Sequence, residues 1–233
     1  MKILKNPTKN ALMEALTRPK LEEVQLEETI RSVFQEVAKT GDKALYRFTT
    51  QFDSVELKTL KVTEAEINQA AVLLPESLKY AIRRAAKNIE LFHTSQQEEG
   101  QIIETTPGVT CWRKSVPVQS VGLYIPGGTA PLFSTVLMLG VPAKIAGCPT
   151  RILCTPPAKD GAVHPAILFA ASVAGITEIY KVGGSQAIAG MSLGTESIPK
   201  VDKLFGPGNQ YVTAAKQYAQ QLGIAIDLPA GPS

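Results

Sequence analysis

The sequence predicts an α/β fold: a Rossmann-like parallel-sheet unit over about residues 124–233, after a helix-rich α/β portion over about 18–123 and an amino-terminal arm, 1–17. Three observations predict it. Beyond about residue 124, short apolar stretches suited to buried strands alternate with helix-length segments, the pattern of βαβ units in a parallel sheet. Three of those stretches run into glycine turns: Tyr124-Ile125-Pro126-Gly127-Gly128, Val182-Gly183-Gly184-Ser185-Gln186 and Phe205-Gly206-Pro207-Gly208-Asn209. Strand, glycine turn and helix is how an open α/β sheet presents backbone N–H groups to a ligand at the carboxyl ends of its strands. Upstream of 115–124, by contrast, the chain is charged and helix-prone.

Taken in order, Glu22 to Lys39 carries Val24, Ile30, Val33, Phe34 and Val37 at near-helical spacing, with Gly41 as its stop. Asp42 reads as the N-cap of a second helix with Ala44, Leu45 and Phe48 inward. Thr63-Glu64-Ala65-Glu66 is a capping box after a short strand, Leu60 to Val62. Pro75 opens a long helix to about His93, with Leu78, Ile82, Ala85, Ala86, Ile89 and Phe92 on one side. Downstream, strands are predicted at Val118–Ile125, Arg151–Thr155, Glu178–Val182, Lys203–Phe205 and Ala225–Leu228. Helices are predicted between them, at Ser134–Ala146, Pro165–Ala174, Ser185–Gly194 and Asn209–Leu222, with Ser134 as a starter.

Composition narrows the function. A hydrophobic content of 44% and a charged content of 19% are ordinary for a soluble globular protein. A net charge of +3 gives no reason to invoke nucleic acid or a membrane surface. The opening residues lack a signal-peptide core, and no apolar run approaches a membrane span. Three cysteines at irregular spacing, with no CxxC, argue against a disulfide framework or a structural zinc site and suit the cytoplasm.

Each motif has a functional and a plain reading. The Tyr124 turn is either the flank of a cofactor site or a tight turn with a core tyrosine. In the Gly183-Gly184 turn, Ser185 reads as a helix cap that leaves amides free for a pyrophosphate, yet the full GxGxxG fingerprint is absent. The Gly206-Pro207-Gly208 run begins like GxGxxG, but Tyr211 stands at the third glycine, and Asn209 is a credible cap. His93 fits a helix C-terminus and His164 a helix entry, and two distant histidines make no zinc site. Cys111, Cys148 and Cys154 lie in apolar stretches and read as buried structural residues rather than thiol nucleophiles. Arg83, Arg84 and Lys87 read as a solvated helix face.

Together these stretches closely resemble histidinol dehydrogenase. The resemblance runs from about Glu22 through Lys39-Thr40-Gly41-Asp42-Lys43-Ala44-Leu45, Asn88-Ile89-Glu90-Leu91-Phe92-His93 and the Tyr124 turn to Asp227-Leu228-Pro229-Ala230-Gly231-Pro232-Ser233. Family members are considerably longer, so it covers their amino-terminal half. It implies an NAD-dependent, zinc-containing oxidoreductase that converts L-histidinol to L-histidine through L-histidinaldehyde. It implies Tyr124, Gln186 and Asn209 as NAD-binding residues and Ser233 as substrate-binding. It also implies a homodimer of two related Rossmann-like domains, with about 124–233 inserted into an incomplete first domain, about 18–123. The family's base and zinc ligands correspond to positions beyond Ser233, so no catalytic or metal residue is assigned here. On its own this chain is expected to oxidise no histidinol. The alternative is an inactive nucleotide-binding or oligomerisation module.

Overall fold

The computed structural model describes residues 4–16, 23–98, 100–128 and 130–228. In chain order it begins with α1 (Lys9–Leu16), α2 (Glu23–Thr40) and α3 (Asp42–Phe48), which runs into a π-turn, Thr49–Asp53. Next come α4 (Glu64–Leu73), α5 (Glu76–Thr94) and an antiparallel hairpin of β1 (Ile102–Thr106) and β2 (Val109–Trp112). Strands and helices then alternate. They are β3 (Ser120–Tyr124), α6 (Phe133–Ile145), β4 (Thr150–Cys154), α7 (Pro165–Val173), β5 (Glu178–Tyr180), α8 (Gly184–Leu193), β6 (Lys203–Phe205), α9 (Gln210–Gln221) and β7 (Ala225–Ile226).

The five strands β3 to β7 pair in parallel in the order β5-β4-β3-β6-β7. The chain steps outward from β3 to β5, then returns to lay β6 on the other side of β3. That reversal is a topological switch point, and it opens a crevice at the carboxyl ends of β3 and β6. One face of the sheet carries α8 and α9, with α2 and α3 packed outside them; the other carries α6 and α7, with α4 and α5 outside.

The sequence periodicities explain this layering. In α2, Ile30, Val33, Phe34 and Val37 are all buried against residues of α8 and α9, as their spacing predicts. The side chain of Val24 lies outside the described residues. In α5, Ile82 and Ala86 are buried, but Phe92 is exposed, because the stripe is covered only where α6 and α7 pack on it. Thr63 Oγ1 accepts from Glu66 N at 3.2 Å while Glu66 Oε2 accepts from Thr63 N at 2.8 Å, so the capping box is present.

Some local expectations are corrected. Leu60 to Val62 forms no strand but one antiparallel bridge, Lys61 to Tyr180, which covers the outer edge of β5. The N-cap of α3 is Gly41, at φ 54°, and not Asp42. Asp42 sits one residue inside the helix, and its carboxylate instead accepts from Ser197 N and Ser197 Oγ. Neither Ser134 nor Ser185 caps a helix; those positions fall to Leu132 and Gly183. Cys111 is exposed and not buried, because both faces of the β1–β2 hairpin are open. Cys148 and Cys154 are buried as expected.

Gly140 of α6 packs against the end of α7 and the residues that follow it. A Cβ there would lie 2.7 Å from Ile176 Cδ1 and 2.9 Å from Ala174 Cβ. Alanine would gain up to about 1 kcal/mol of helix propensity but incur roughly 1–3 kcal/mol of overpacking. Gly140→Ala is therefore expected to lower stability by about 1 kcal/mol, read as a lower urea midpoint at unchanged slope. An unchanged or raised midpoint would count against this packing.

Candidate functional site

Tyr124 ends the central strand and is buried, and its hydroxyl accepts a hydrogen bond from Gly184 N at 3.0 Å. The phenol thus takes the place that a serine cap would hold on α8. Burial pushes its pKa up to about 12, even though the Gly184 hydrogen bond acts in the opposite direction. On its other side, the backbone of Gly206 lies against the carbonyl of Tyr124. A Cβ at Gly206 would overlap that oxygen, and φ is 135°, so only glycine fits.

Lys216 of α9 is 5% exposed, and its Nζ donates to Gly206 O at 2.9 Å and pairs with Asp227. Asp227 Oδ2 in turn accepts from Gly206 N at 2.9 Å. The turn is thereby held by both of its backbone polar groups. It leads to Asn209, whose Oδ1 accepts from Tyr211 N and Val212 N at 3.1 Å, the cap that the sequence predicts. With Oδ1 engaged on the helix, Nδ2 is the group left to donate into the cleft.

These turns enclose a cleft of about 740 Å³. Tyr124, Gln186 and Asn209 all line it, so the structure brings together the three side chains singled out from three separate turns. Gln186 is 1% exposed, and both Oε1 and Nε2 lack a hydrogen-bond partner. A buried amide left unpaired in this way costs about 1–3 kcal/mol, which a ligand carrying one donor and one acceptor would relieve.

Sequence reasoning missed the π-turn that closes the cleft. Phe52 is 50% exposed, lines the cleft and stacks on Phe48 with ring centroids 5.5 Å apart. Asp53 also lines it; its Oδ2 is shut off from water and without a partner, and burial pushes its pKa up to about 6. No sequence signal marks an aspartate that follows a helix as anything but a solvated loop residue.

The remaining candidates stand apart. His164 caps α7, its Nδ1 accepting from Ala166 N at 3.1 Å. His93 is hydrogen-bonded to Gln96 Oε1 at 2.7 Å in the last turn of α5. Burial pushes the Cys154 thiol up, which makes it a poor nucleophile. Arg83 does not simply face solvent, since its guanidinium lies 5.2 Å from the Phe169 ring centroid. Among the described residues there is no group of three or more His, Cys, Asp or Glu placed to hold a metal. Ser233 lies outside the described residues.

An open parallel sheet with helices on both faces and a crevice at its switch point defines a doubly wound α/β protein. A histidinol dehydrogenase family profile matches residues 16–233. The chain is 57% identical to the histidinol dehydrogenase of Bacteroides thetaiotaomicron, over 100% of its own length and 54% of that protein. It is 49% identical to that of Xylella fastidiosa, over 96% of its length and 52% of the relative. It superposes on the crystal structure of histidinol dehydrogenase from Elizabethkingia anophelis with a TM-score of 0.90 at 52% identity, covering 98% of this chain and 53% of that one. The chain belongs to the histidinol dehydrogenase family. It spans about half the length of the curated relatives that it matches.

Asp53 carries a pH prediction. Its folded pKa is raised above the unfolded value of 3.8, so its contribution to stability is full below that value and is lost as pH rises through about 6. Asp53→Asn is therefore expected to melt higher than the parent chain at about pH 7.5, with the difference vanishing near about pH 4. A difference that stays constant across that range would contradict the burial of this carboxyl.

Proposed function

We propose that this chain forms the NAD-binding side of an NAD-dependent histidinol dehydrogenase that oxidises L-histidinol to L-histidine by way of L-histidinaldehyde. The observation that carries the reading is the buried, unpartnered amide of Gln186 between Tyr124 and Asn209. NAD, when bound, supplies the hydride acceptor for the carbinol carbon. Gln186 supplies one donor and one acceptor, neither of which has a partner within the protein. Asn209 donates through Nδ2 from a position fixed by its cap. Tyr124 holds the α8 turn against β3 and presents its ring to the cleft wall.

The described residues do not fit the family's zinc, since no three-ligand group is present among them, and no step is derived through it. Asp53 is the one carboxyl lining the cleft among the described residues. The base, the zinc ligands and the substrate contact at Ser233 belong to residues outside those described. Supporting a homodimer, the β1–β2 hairpin exposes Ile102, Ile103, Val109 and Trp112. The free cysteines suit a cytoplasmic enzyme.

The exposed apolar face of the hairpin favours a second reading of these residues by themselves, as a nucleotide-binding module that also self-associates. Calorimetric titration of NAD into this chain tests what both readings share. Saturable binding is expected, weakened about tenfold by Gln186→Ala and by Asn209→Ala. A folded chain that gives no binding heat at millimolar NAD would overturn the proposal.

A further inference from the structure

The stretch Lys39-Thr40-Gly41-Asp42-Lys43-Ala44-Leu45 stands out in the sequence, yet none of its residues lines the cleft. The structure ties it instead to the segment that follows α8. Glu196 Oε2 accepts from Asp42 N at 2.7 Å, and the Asp42 carboxylate accepts in return from Ser197 N at 3.2 Å and from Ser197 Oγ. Gly41, with no side chain, leaves the room that the Glu196 carboxylate occupies. The anchor is itself braced. Thr195 N donates to Ile198 O at 2.8 Å, Ile198 N donates to Thr195 Oγ1 at 3.1 Å, and Ile198 is fully buried.

The rest of α3 meets the sheet unit through Ala44, Leu45 and Phe48, which are buried in one cluster with Ala187, Ile188 and Met191 of α8. Apolar burial selects which face of a helix turns inward, but it is non-directional and fixes position along the axis only weakly. Arg47 pairs with Glu36, which joins α3 to α2 in the same layer rather than to the sheet. The directional hydrogen bonds to Glu196 and Ser197 supply the axial restraint. At its other end α3 runs directly into the π-turn, whose Phe52 and Asp53 wall the cleft, and then to Val55, which is buried. A π-turn encloses one residue more than an α-turn, so it takes up chain between two fixed ends. We propose that Asp42 and Glu196 are positioning residues: their reciprocal hydrogen bonds across the α2–α3 corner set α3 along its axis and so hold the π-turn over the cleft. Neither residue lines the cleft, and both act through Phe52 and Asp53.

The test is an NMR titration of the Asp53 side-chain carboxyl, whose resonance is assigned by its loss in Asp53→Asn. Its pKa of about 6 reports its burial in the closed turn. The Tyr124 hydroxyl, which lines the cleft with it, stays neutral over this range. Glu196→Ala and Ser197→Ala are each expected to let the turn shift and admit water, lowering the Asp53 pKa by about one unit, a tenfold stronger acid. Glu196→Gln keeps an oxygen for Asp42 N and is expected to leave the pKa at its parent value. Gly140→Ala, which loses stability on the other face of the sheet, is expected to leave it unchanged too. An unchanged Asp53 titration in folded Glu196→Ala and Ser197→Ala overturns the proposal. So does an equal shift in Gly140→Ala, which would mark a general loosening. A parent Asp53 that titrates near 3.8 overturns it with no variant needed. No ligand enters the measurement, so its outcome is independent of what the cleft binds, and loss of the NAD reading would leave this one standing.

Discussion

The hydrogen bond from the Gly184 amide to the Tyr124 hydroxyl is the interaction on which the cleft depends. It joins the end of the central strand to the start of α8, 60 residues further along the chain. On the opposite side, Gly206 fits against the Tyr124 carbonyl because it has no side chain. One residue thus fixes the separation of two glycine turns, and Asn209 follows from the second by its own cap. The switch point between β3 and β6 provides the gap, and Tyr124 sets its width.

Around that fixed point the molecule keeps polar groups where they weaken the fold. Gln186 is buried with an unpaired amide, and Asp53 holds a carboxyl oxygen away from water. Lys216 is buried too, but Asp227 and Gly206 O satisfy it. The contrast separates two roles. Lys216 and Asp227 hold the backbone in place, and breaking such a buried pair typically costs about 3–5 kcal/mol. Gln186 and Asp53 have no such partner inside the protein and are suited to one from outside.

Much of this was legible in the sequence. The strand ending at Tyr124 is short, apolar and bounded by a glycine turn, so its composition and length sufficed. The Thr63 and Asn209 caps were legible because a cap acts within three or four residues of its partner. Tyr124, Gln186 and Asn209 were singled out by the family resemblance, from turns far apart in the chain, and the sheet topology brings them to one cleft. What stayed hidden depends on distant partners. Asp42 reads as a cap locally, yet its carboxylate serves Ser197. Lys216, Asp227 and Asp53 are single polar residues whose roles come from contacts that no local pattern encodes. Cys111 lies in an apolar stretch, but its hairpin packs on neither core cluster.

The most direct measurement is a crystal structure of this chain grown with NAD. The account expects the dinucleotide in the cleft between the three glycine turns, with the Gln186 amide and Asn209 Nδ2 within hydrogen-bond distance of it. A dinucleotide bound elsewhere on the surface, or one lying in the cleft with the Gln186 amide still unpartnered, would contradict the claim that these turns were built around that ligand.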